Sequence, residues 1–134
     1  MGYMKRTALI LFSVLTTAAA DEGSRDGNWW NSLPASQRNA YVLGIFDGIQ
    51  ATGQPGVIDK ATYDAMNSRL KPRLSRVMSD QLADGMTAFY KDFRNRLVPT
   101  CRAIWIAVDA INGIPSEQIA LETEQARRAA SVPK

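Results

Sequence analysis

The segment over residues 79–99 is the feature of the sequence that most constrains the fold. Its large apolar side chains follow one another at steps of four, three, one and three residues, which places them on one side of an α-helix. They are Leu82, Met86, Phe89, Tyr90 and Phe93. Ser79 is suited to cap this helix at its start, and Pro99 is suited to stop it. Other elements have to cover the apolar face, so the segment predicts a core-facing helix in a domain of packed elements.

The N-terminal residues have the composition of a secretory signal peptide. Lys5 and Arg6 precede an uncharged run over residues 7–20 that ends in consecutive alanines. The run is too short for the ~20 apolar residues that cross a bilayer, and small residues at its end favour cleavage near Ala20. We therefore expect a signal peptide over residues 1–20 and a mature protein in the periplasm or outside the cell.

The basic character of the chain is concentrated in this leader. The full sequence has sixteen basic and thirteen acidic residues. Removal of residues 1–20 takes away two basic residues and leaves fourteen against thirteen, a net charge of +1. The sequence also has no cluster of Lys and Arg interleaved with aromatic residues, the pattern that binds a phosphate backbone. Nucleic acid is therefore not an expected partner.

Proline, glycine and capping residues mark four more helices around the central segment. They span about residues 34–50, 60–71, 101–112 and 116–130. Asp59 is a candidate cap for the helix that follows it, and Pro72 is expected to end that helix, with an extended connector over residues 73–78. Gly113 is expected to end the helix before it in a left-handed conformation.

No stretch of the sequence shows the alternation of apolar and polar residues that is typical of a strand. Residues 21–134 have the length of one small domain with a single core. The prediction is an all-α, single-domain bundle of about five helices over this range. It begins with a flexible leader at 21–28 and ends with a frayed tail at 131–134.

Three glycines lie inside predicted core helices. Gly44 and Gly48 are about one helical turn apart, and Gly85 follows Asp84 in the central segment. A glycine costs a helix about 1 kcal/mol relative to alanine, so its presence predicts a second helix that crosses closely at that point. The apolar residues around Gly44 and Gly48 cover a broad face, which predicts a helix mostly surrounded by its neighbours.

Asp47 and Asp84 are unusual because each lies in an apolar segment and precedes a glycine. A carboxylate near a core must be paired or protonated. One interpretation is a structural network with arginines that fixes how the helices cross. The candidate partners are Arg94, Arg96 and Arg102. The alternative is a carboxylate pair that acts as acid and base in an enzyme.

Trp29 and Trp30 are the most distinctive aromatic feature. Adjacent exposed tryptophans can stack on a sugar or anchor a protein partner, so both are candidate partner-binding residues. The alternative is that one ring covers the end of the bundle while the other is partly exposed. Cys101 is the single cysteine, and its apolar surroundings predict that it is buried.

The residues needed for several kinds of catalysis are missing. The sequence has no histidine and one cysteine, which excludes a Ser-His-Asp triad, an HExxH zinc site and a CxxC redox pair. The chain also has no glycine-rich loop between a strand and a helix that would bind a nucleotide. We therefore expect no enzymatic activity, no cofactor and no metal site.

Three segments together suggest a family. They are residues 41–49 (YVLGIFDGI), residues 80–99 (DQLADGMTAFYKDFRNRLVP) and a following helix with Ala103, Ile104 and Ala107. Their order resembles that of the small exported Tai-like immunity proteins, which protect bacteria from amidase effectors delivered by type VI secretion. The resemblance covers about residues 36–112 and implies a helical periplasmic protein that binds a peptidoglycan hydrolase. Members of that family commonly carry cysteines that staple the domain, whereas this chain has only Cys101.

The resulting hypothesis is an exported protein-binding module of the cell envelope, of the immunity or inhibitor type and without a membrane-spanning segment. Two alternatives stay open. One is the envelope enzyme that uses Asp47 and Asp84, and the other is a structural or chaperone-like envelope protein.

Overall fold

The computed structural model describes residues 25–131, and within that range the chain forms helices and no strand. The elements are α1 (Gly27–Ser32), α2 (Ala35–Ala51), α3 (Lys60–Leu74), α4 (Ser79–Lys91), a 3₁₀ turn (Phe93–Asn95), α5 (Thr100–Ile111) and α6 (Ser116–Ser131). The prediction of a small all-α bundle is confirmed, with α1 as an additional helix. The predicted signal peptide (1–20) lies outside the described residues, as do parts of the predicted leader and tail.

The core of the bundle lies where α4 packs against α5. Helix α2 covers α4 from one side, and α6 packs on α5. The buried side chains of the two central helices include Leu82, Met86 and Tyr90 from α4 and Ile104, Ala107 and Val108 from α5. Full burial of a side chain such as Leu82 contributes about 1.5–3 kcal/mol to stability relative to leaving it exposed. These contacts between α4 and α5 therefore organise the remaining helices.

Helix α4 is shorter than the sequence predicts. It ends at Lys91 because Asp92 leaves the helical conformation and its carboxylate accepts a 3.0 Å hydrogen bond from the Arg94 backbone N–H. Short polar side chains of this kind offer the backbone an alternative to a helix. The prediction that the helix continues to Pro99 is wrong, and so is the placement of Phe93 on its buried face. Phe93 begins the 3₁₀ turn and is 70% exposed.

Helix α1 is a short element whose first two residues, Gly27 and Asn28, lie in the predicted flexible leader. The Asp26 carboxylate accepts hydrogen bonds from the backbone N–H groups of Asn28 (2.9 Å) and Trp29 (3.1 Å), which caps the helix. Gly27 is buried and its N–H donates a 2.9 Å bond to the Arg96 carbonyl. The second half of the predicted leader is therefore ordered, because it is bound to the segment that follows α4.

Helix α2 lies at the edge of the bundle, and the prediction that neighbours surround it is wrong. Val42 is its one buried residue, while Leu43 is 50% exposed. A Cβ atom placed on Gly44 or Gly48 would meet no atom within 4 Å. The prediction that these two glycines permit close helix packing is therefore also wrong, since no helix crosses them in the described part of the chain.

Gly85 does lie at a close helix contact. A Cβ atom at this position would come 3.4 Å from the Cβ of Ala107 and 3.6 Å from the Cδ1 of Ile111, both on α5. The absence of a side chain at Gly85 and the small side chain of Ala107 allow α4 and α5 to approach closely at this point.

Helix α3 begins where the sequence predicts, with the Asp59 carboxylate accepting a 2.9 Å bond from the Thr62 N–H. It continues through Pro72 to Leu74, so the predicted stop at Pro72 and the extended start of the connector are wrong. The Ser75 N–H donates to the Lys71 carbonyl (3.0 Å), and this bond closes the last turn beyond the proline. Tertiary contacts of Arg73, described below, hold that turn in place. None of the residues of α3 is buried.

Candidate functional site

A groove of about 670 Å³ lies between α5 and α6 and reaches the end of α3. We call it the α5–α6 groove. Its charged, polar and aromatic lining residues are Arg73, Arg102, Trp105, Asp109, Glu122 and Gln125. Helix α5 supplies one wall, and the face of α6 that carries the buried residue Ala126 supplies the other. Since Arg102 and Gln125 are exposed, the groove is open to solvent.

An ion pair stacked on an indole ring forms one end of this groove. Arg73 Nη2 donates to both carboxylate oxygens of Asp109 at 2.7 Å, and its Nε donates to Oδ1 at 3.1 Å. The same guanidinium lies over the Trp105 ring, with its Cζ 4.5 Å from the ring centroid. Bidentate pairing fixes the guanidinium plane, and the cation–π contact fixes the ring beneath it.

The local sequence explains why these groups meet. Trp105 and Asp109 are four residues apart on α5, so they lie on the same face of the helix. Arg73 is in the last turn of α3, where a cation also interacts favourably with the helix dipole. The Asn112 side-chain amide donates a 2.8 Å bond to the Arg73 carbonyl, which ties the end of α3 to the end of α5. This end of the groove is therefore preorganised.

The charges of the groove are balanced. Arg73 and Arg102 are matched by Asp109 and Glu122 in the same lining. Trp105 is half-buried and offers part of its ring to the open space. Tryptophan and arginine are the residues most enriched among those that dominate protein–protein binding energy. This combination of an aromatic floor and a rim of both charges can bind an apolar side chain of another protein together with polar groups around it.

Trp30 does not occupy an interaction surface. It is fully buried, and its indole N–H donates a 3.2 Å bond to the Thr87 hydroxyl. Trp29 is half-buried, with its ring 5.0 Å from that of Tyr41 and the Arg25 guanidinium 5.5 Å from its centroid. The candidate role of Trp30 in partner binding is therefore wrong, because the ring forms part of the core beside α4. The alternative, in which one ring covers the bundle while the other is partly exposed, describes the pair correctly.

The predicted network around Asp47 and Asp84 does not form. Both residues are exposed, and neither makes an ion pair or a side-chain hydrogen bond with any residue in the range 25–131. The apolar segments that surround them in sequence turn these two positions away from the helix contacts, so both carboxylates stay hydrated. The reason for expecting arginine partners, burial near the core, therefore does not apply.

The three arginines of the predicted network have other surroundings. Arg94 pairs with Asp92, Nη2 to Oδ2 at 2.6 Å, and Arg102 is an exposed residue of the α5–α6 groove. The Arg96 guanidinium lies over the Phe93 ring, 3.8 Å from its centroid. The three side chains therefore do not form one network.

A different polar network joins this turn to α6. Arg127 Nη2 lies 2.8 Å from Asp92 Oδ2, and its Nε donates to Asn95 Oδ1 at 2.7 Å. Buried Asn95 in turn donates a 2.7 Å bond to the Phe89 carbonyl. Hydrogen bonds from Arg94, together with the charges of Arg94 and Arg127, hold the pKa of the Asp92 carboxyl well below its usual range. The network is a structural clamp between the end of α4 and α6.

Cys101 is exposed, so the prediction that it is buried is wrong. It is the second residue of α5, and the buried residues of that helix include Thr100 before it and Ala103 and Ile104 after it. The apolar neighbours in sequence therefore do not surround the thiol in space.

Arg73, Trp105 and Asp109 are not among the site residues predicted from the sequence. The spacing of Trp105 and Asp109 was a usable signal, because it predicts one helix face with an aromatic and a carboxylate side by side. The role of Arg73 could not be predicted in this way, because the predicted end of the helix at Pro72 placed Arg73 in a connector.

Within residues 25–131, no group of three or more residues of the types Cys, Asp and Glu is arranged to hold a metal ion. No side-chain polar atom is buried without a hydrogen-bond partner in the same range. None of the helices described is both long enough and apolar enough to span a bilayer. No family model, no curated protein and no solved structure matches the chain.

Proposed function

We propose that this protein is a binding module of the cell envelope that holds a segment of a partner protein in the α5–α6 groove. The observation that carries the proposal is the stacked arrangement of Trp105, Arg73 and Asp109 at the end of that groove. Export to the envelope rests on the predicted signal peptide.

The properties of the groove favour a protein segment over a small molecule. Pockets for small molecules usually enclose most of the ligand, whereas this groove is bordered by exposed Arg102 and Gln125. An apolar side chain of the partner would contact the Trp105 ring, and polar groups around it would bind the charged rim. Preorganisation of the site lowers the entropic cost of binding, because the Arg73–Asp109 pair already holds the ring in place.

The narrower form of the proposal is an immunity or inhibitor protein whose partner is a peptidoglycan amidase. It is supported by the resemblance of residues 36–112 to the Tai-like immunity proteins. An inhibitor needs a surface for its target enzyme and no catalytic groups of its own, and we assign that surface to the α5–α6 groove.

Substitutions that fill the groove test the general proposal. Gln125→Trp places a large side chain inside the groove at an exposed position, whereas Ala120→Trp places the same side chain on an exposed position of α6 outside it. Affinity capture from envelope extract followed by mass spectrometry should recover the same specific partner with wild type and with Ala120→Trp. The Gln125→Trp variant should lose that partner and keep the melting temperature of wild type. Capture that is equal for both variants would contradict the proposed surface.

An enzyme assay tests the narrower form. Any peptidoglycan amidase encoded beside the gene is purified and assayed for cell-wall hydrolysis with wild type, Gln125→Trp and Ala120→Trp. Inhibition by wild type and Ala120→Trp that is lost with Gln125→Trp supports the immunity role. If the partner that binds through the groove is not a cell-wall hydrolase, the proposal of a binding module stands and the proposal of an immunity protein is refuted.

A further inference from the structure

A second, smaller groove of about 340 Å³ lies on the other side of α6, between that helix and the segment after α4. We call it the basic groove. The segment after α4 contributes Arg94, Leu97 and Val98, and α6 contributes Glu124, Arg127 and Arg128. It shares none of these residues with the lining of the α5–α6 groove.

Positive charge exceeds negative charge in and around the basic groove. Three of its arginines share two carboxylates: Asp92 pairs with Arg94 and Arg127, and Glu124 pairs with Arg127 and Arg128. One guanidinium charge is therefore left without a matching carboxylate. Arg96 adds a second, because its guanidinium stacks on Phe93 rather than on an acid. The described chain as a whole has thirteen basic and eleven acidic residues, so its net charge per residue is much smaller than that of this groove.

Apolar side chains lie beside these charges and face solvent. Phe93 is 70% exposed and Leu97 is 48% exposed, and both belong to the short segment that joins α4 to α5. Leu97 and buried Val98 line the groove itself. Exposed apolar side chains grouped beside charged residues are typical of an interaction surface. The groove thus offers apolar contact and net positive charge together.

We propose that the basic groove docks an acidic segment of a partner protein, one that carries carboxylates beside an aliphatic side chain. Guanidinium groups bind carboxylates in a bidentate geometry, and the groove holds several of them in place through Asp92, Asn95 and Glu124. The aliphatic side chain would pack on Leu97. A protein segment fits better than an anionic membrane, because the charges line a recess rather than a flat surface.

Fluorescent peptides of matched length provide the probe. The acidic peptide repeats Glu-Glu-Leu, and the two comparison peptides repeat Lys-Lys-Leu and Gln-Gln-Leu. We expect saturable binding of the acidic peptide alone, with amide chemical-shift changes confined to residues 93–98 and 124–131. Its affinity should fall at least about tenfold between about 50 mM and about 500 mM NaCl, because salt screens exposed charges.

Two variants test whether Arg128 and Phe93 contribute to peptide binding, and neither substitution disturbs the core. Arg128→Glu reverses a charge on an exposed side chain, and Phe93→Ser removes an exposed ring. Their matched controls are Arg76→Glu and Val57→Ser, which are exposed and lie outside the groove. Arg128→Glu should weaken the acidic peptide about tenfold, and the controls should bind it like wild type. Phe93→Ser should weaken it by a smaller factor.

Several outcomes would overturn the proposal. Equal binding of all three peptides would remove the charge requirement, and shifts outside residues 93–98 and 124–131 would place the site elsewhere. Binding to phosphatidylglycerol vesicles that exceeds binding to the acidic peptide would identify a membrane surface instead. These tests do not depend on the α5–α6 groove, so a failure here leaves the proposed function standing.

Discussion

The phenol of Tyr90 donates a 2.8 Å hydrogen bond to the backbone carbonyl of Val98, across the segment that joins α4 to α5. Both residues are buried, and burial raises the pKa of the Tyr90 phenol, so the group stays protonated as a donor. The bond holds the connecting segment closed against the core. The position of the basic groove follows from it, since Leu97 and Val98 line that groove.

Replacement of Tyr90 by Phe should destabilise the protein. The Val98 carbonyl would be left buried without its partner, at a cost of about 1–3 kcal/mol in the free energy of unfolding. Urea denaturation measures this change. Tyr63→Phe is the control, because Tyr63 is half-buried and its hydroxyl makes no side-chain hydrogen bond with residues 25–131. Equal stability of the two variants would show that the bond contributes nothing.

Leucine should destabilise the protein at Gly85 and be tolerated at Gly48. Gly85→Leu would push against Ala107 and Ile111 and cost about 1–3 kcal/mol. Gly48→Leu meets no atom within 4 Å at its Cβ and should be neutral or stabilising, and Gly48→Ala should stabilise by up to about 1 kcal/mol. Thermal melts of the three variants measure these changes in stability. A neutral Gly85→Leu would refute the close contact between α4 and α5.

A methyl group at position 27 should loosen α1 from the bundle. The Cβ of Gly27→Ala would clash with the Tyr90 ring and lie 2.8 Å from the Arg96 Cα, where the backbone has to move. We expect a loss of about 1–3 kcal/mol in unfolding free energy and faster amide exchange in α1. Gly44→Ala serves as the control, since nothing lies within 4 Å of its Cβ. Wild-type exchange in Gly27→Ala would argue against tight docking of α1.

The ion pairs of Asp92 should make stability dependent on acid pH. Because its pKa is lowered in the folded state, the carboxylate stabilises the fold above its unfolded pKa of about 3.9, and this stabilisation is lost as the pH falls toward the folded value. Melting temperature measured between about pH 6 and about pH 2 should fall less steeply for Asp92→Asn than for wild type. Identical slopes for wild type and Asp92→Asn would contradict this.

The Cys101 thiol should react with Ellman's reagent in the native protein. It is exposed at the start of α5, so modification should be complete without denaturant. With one cysteine the chain has no internal disulfide, so circular dichroism should show the same helical spectrum with and without reducing agent. A thiol that reacts only in urea would restore the prediction that it is buried.

The fold class and much of the arrangement along the chain can be predicted from the sequence alone. Apolar spacing identifies α4 as a core helix, and the Asp59 cap and Gly113 with its positive φ of 80° mark helix ends. These features are predictable because helix periodicity, capping and glycine conformation depend on residues a few positions apart. The same local rules identified Gly85 as a residue at a helix crossing, because the apolar residues around it do face the core.

Which surfaces are buried and which residues form the sites depends on how the helices pack. Glycines of the same appearance differ, since α5 lies against Gly85 and nothing lies against Gly48. Trp30 is buried by contacts with α4, and Arg73 meets Asp109 across 36 residues of chain. A single sequence carries no direct record of such pairings, because they depend on how whole helices pack rather than on the neighbours of each residue. Both grooves depend on helix packing, because α6 lies between α5 and the segment that Asp92 turns away from α4.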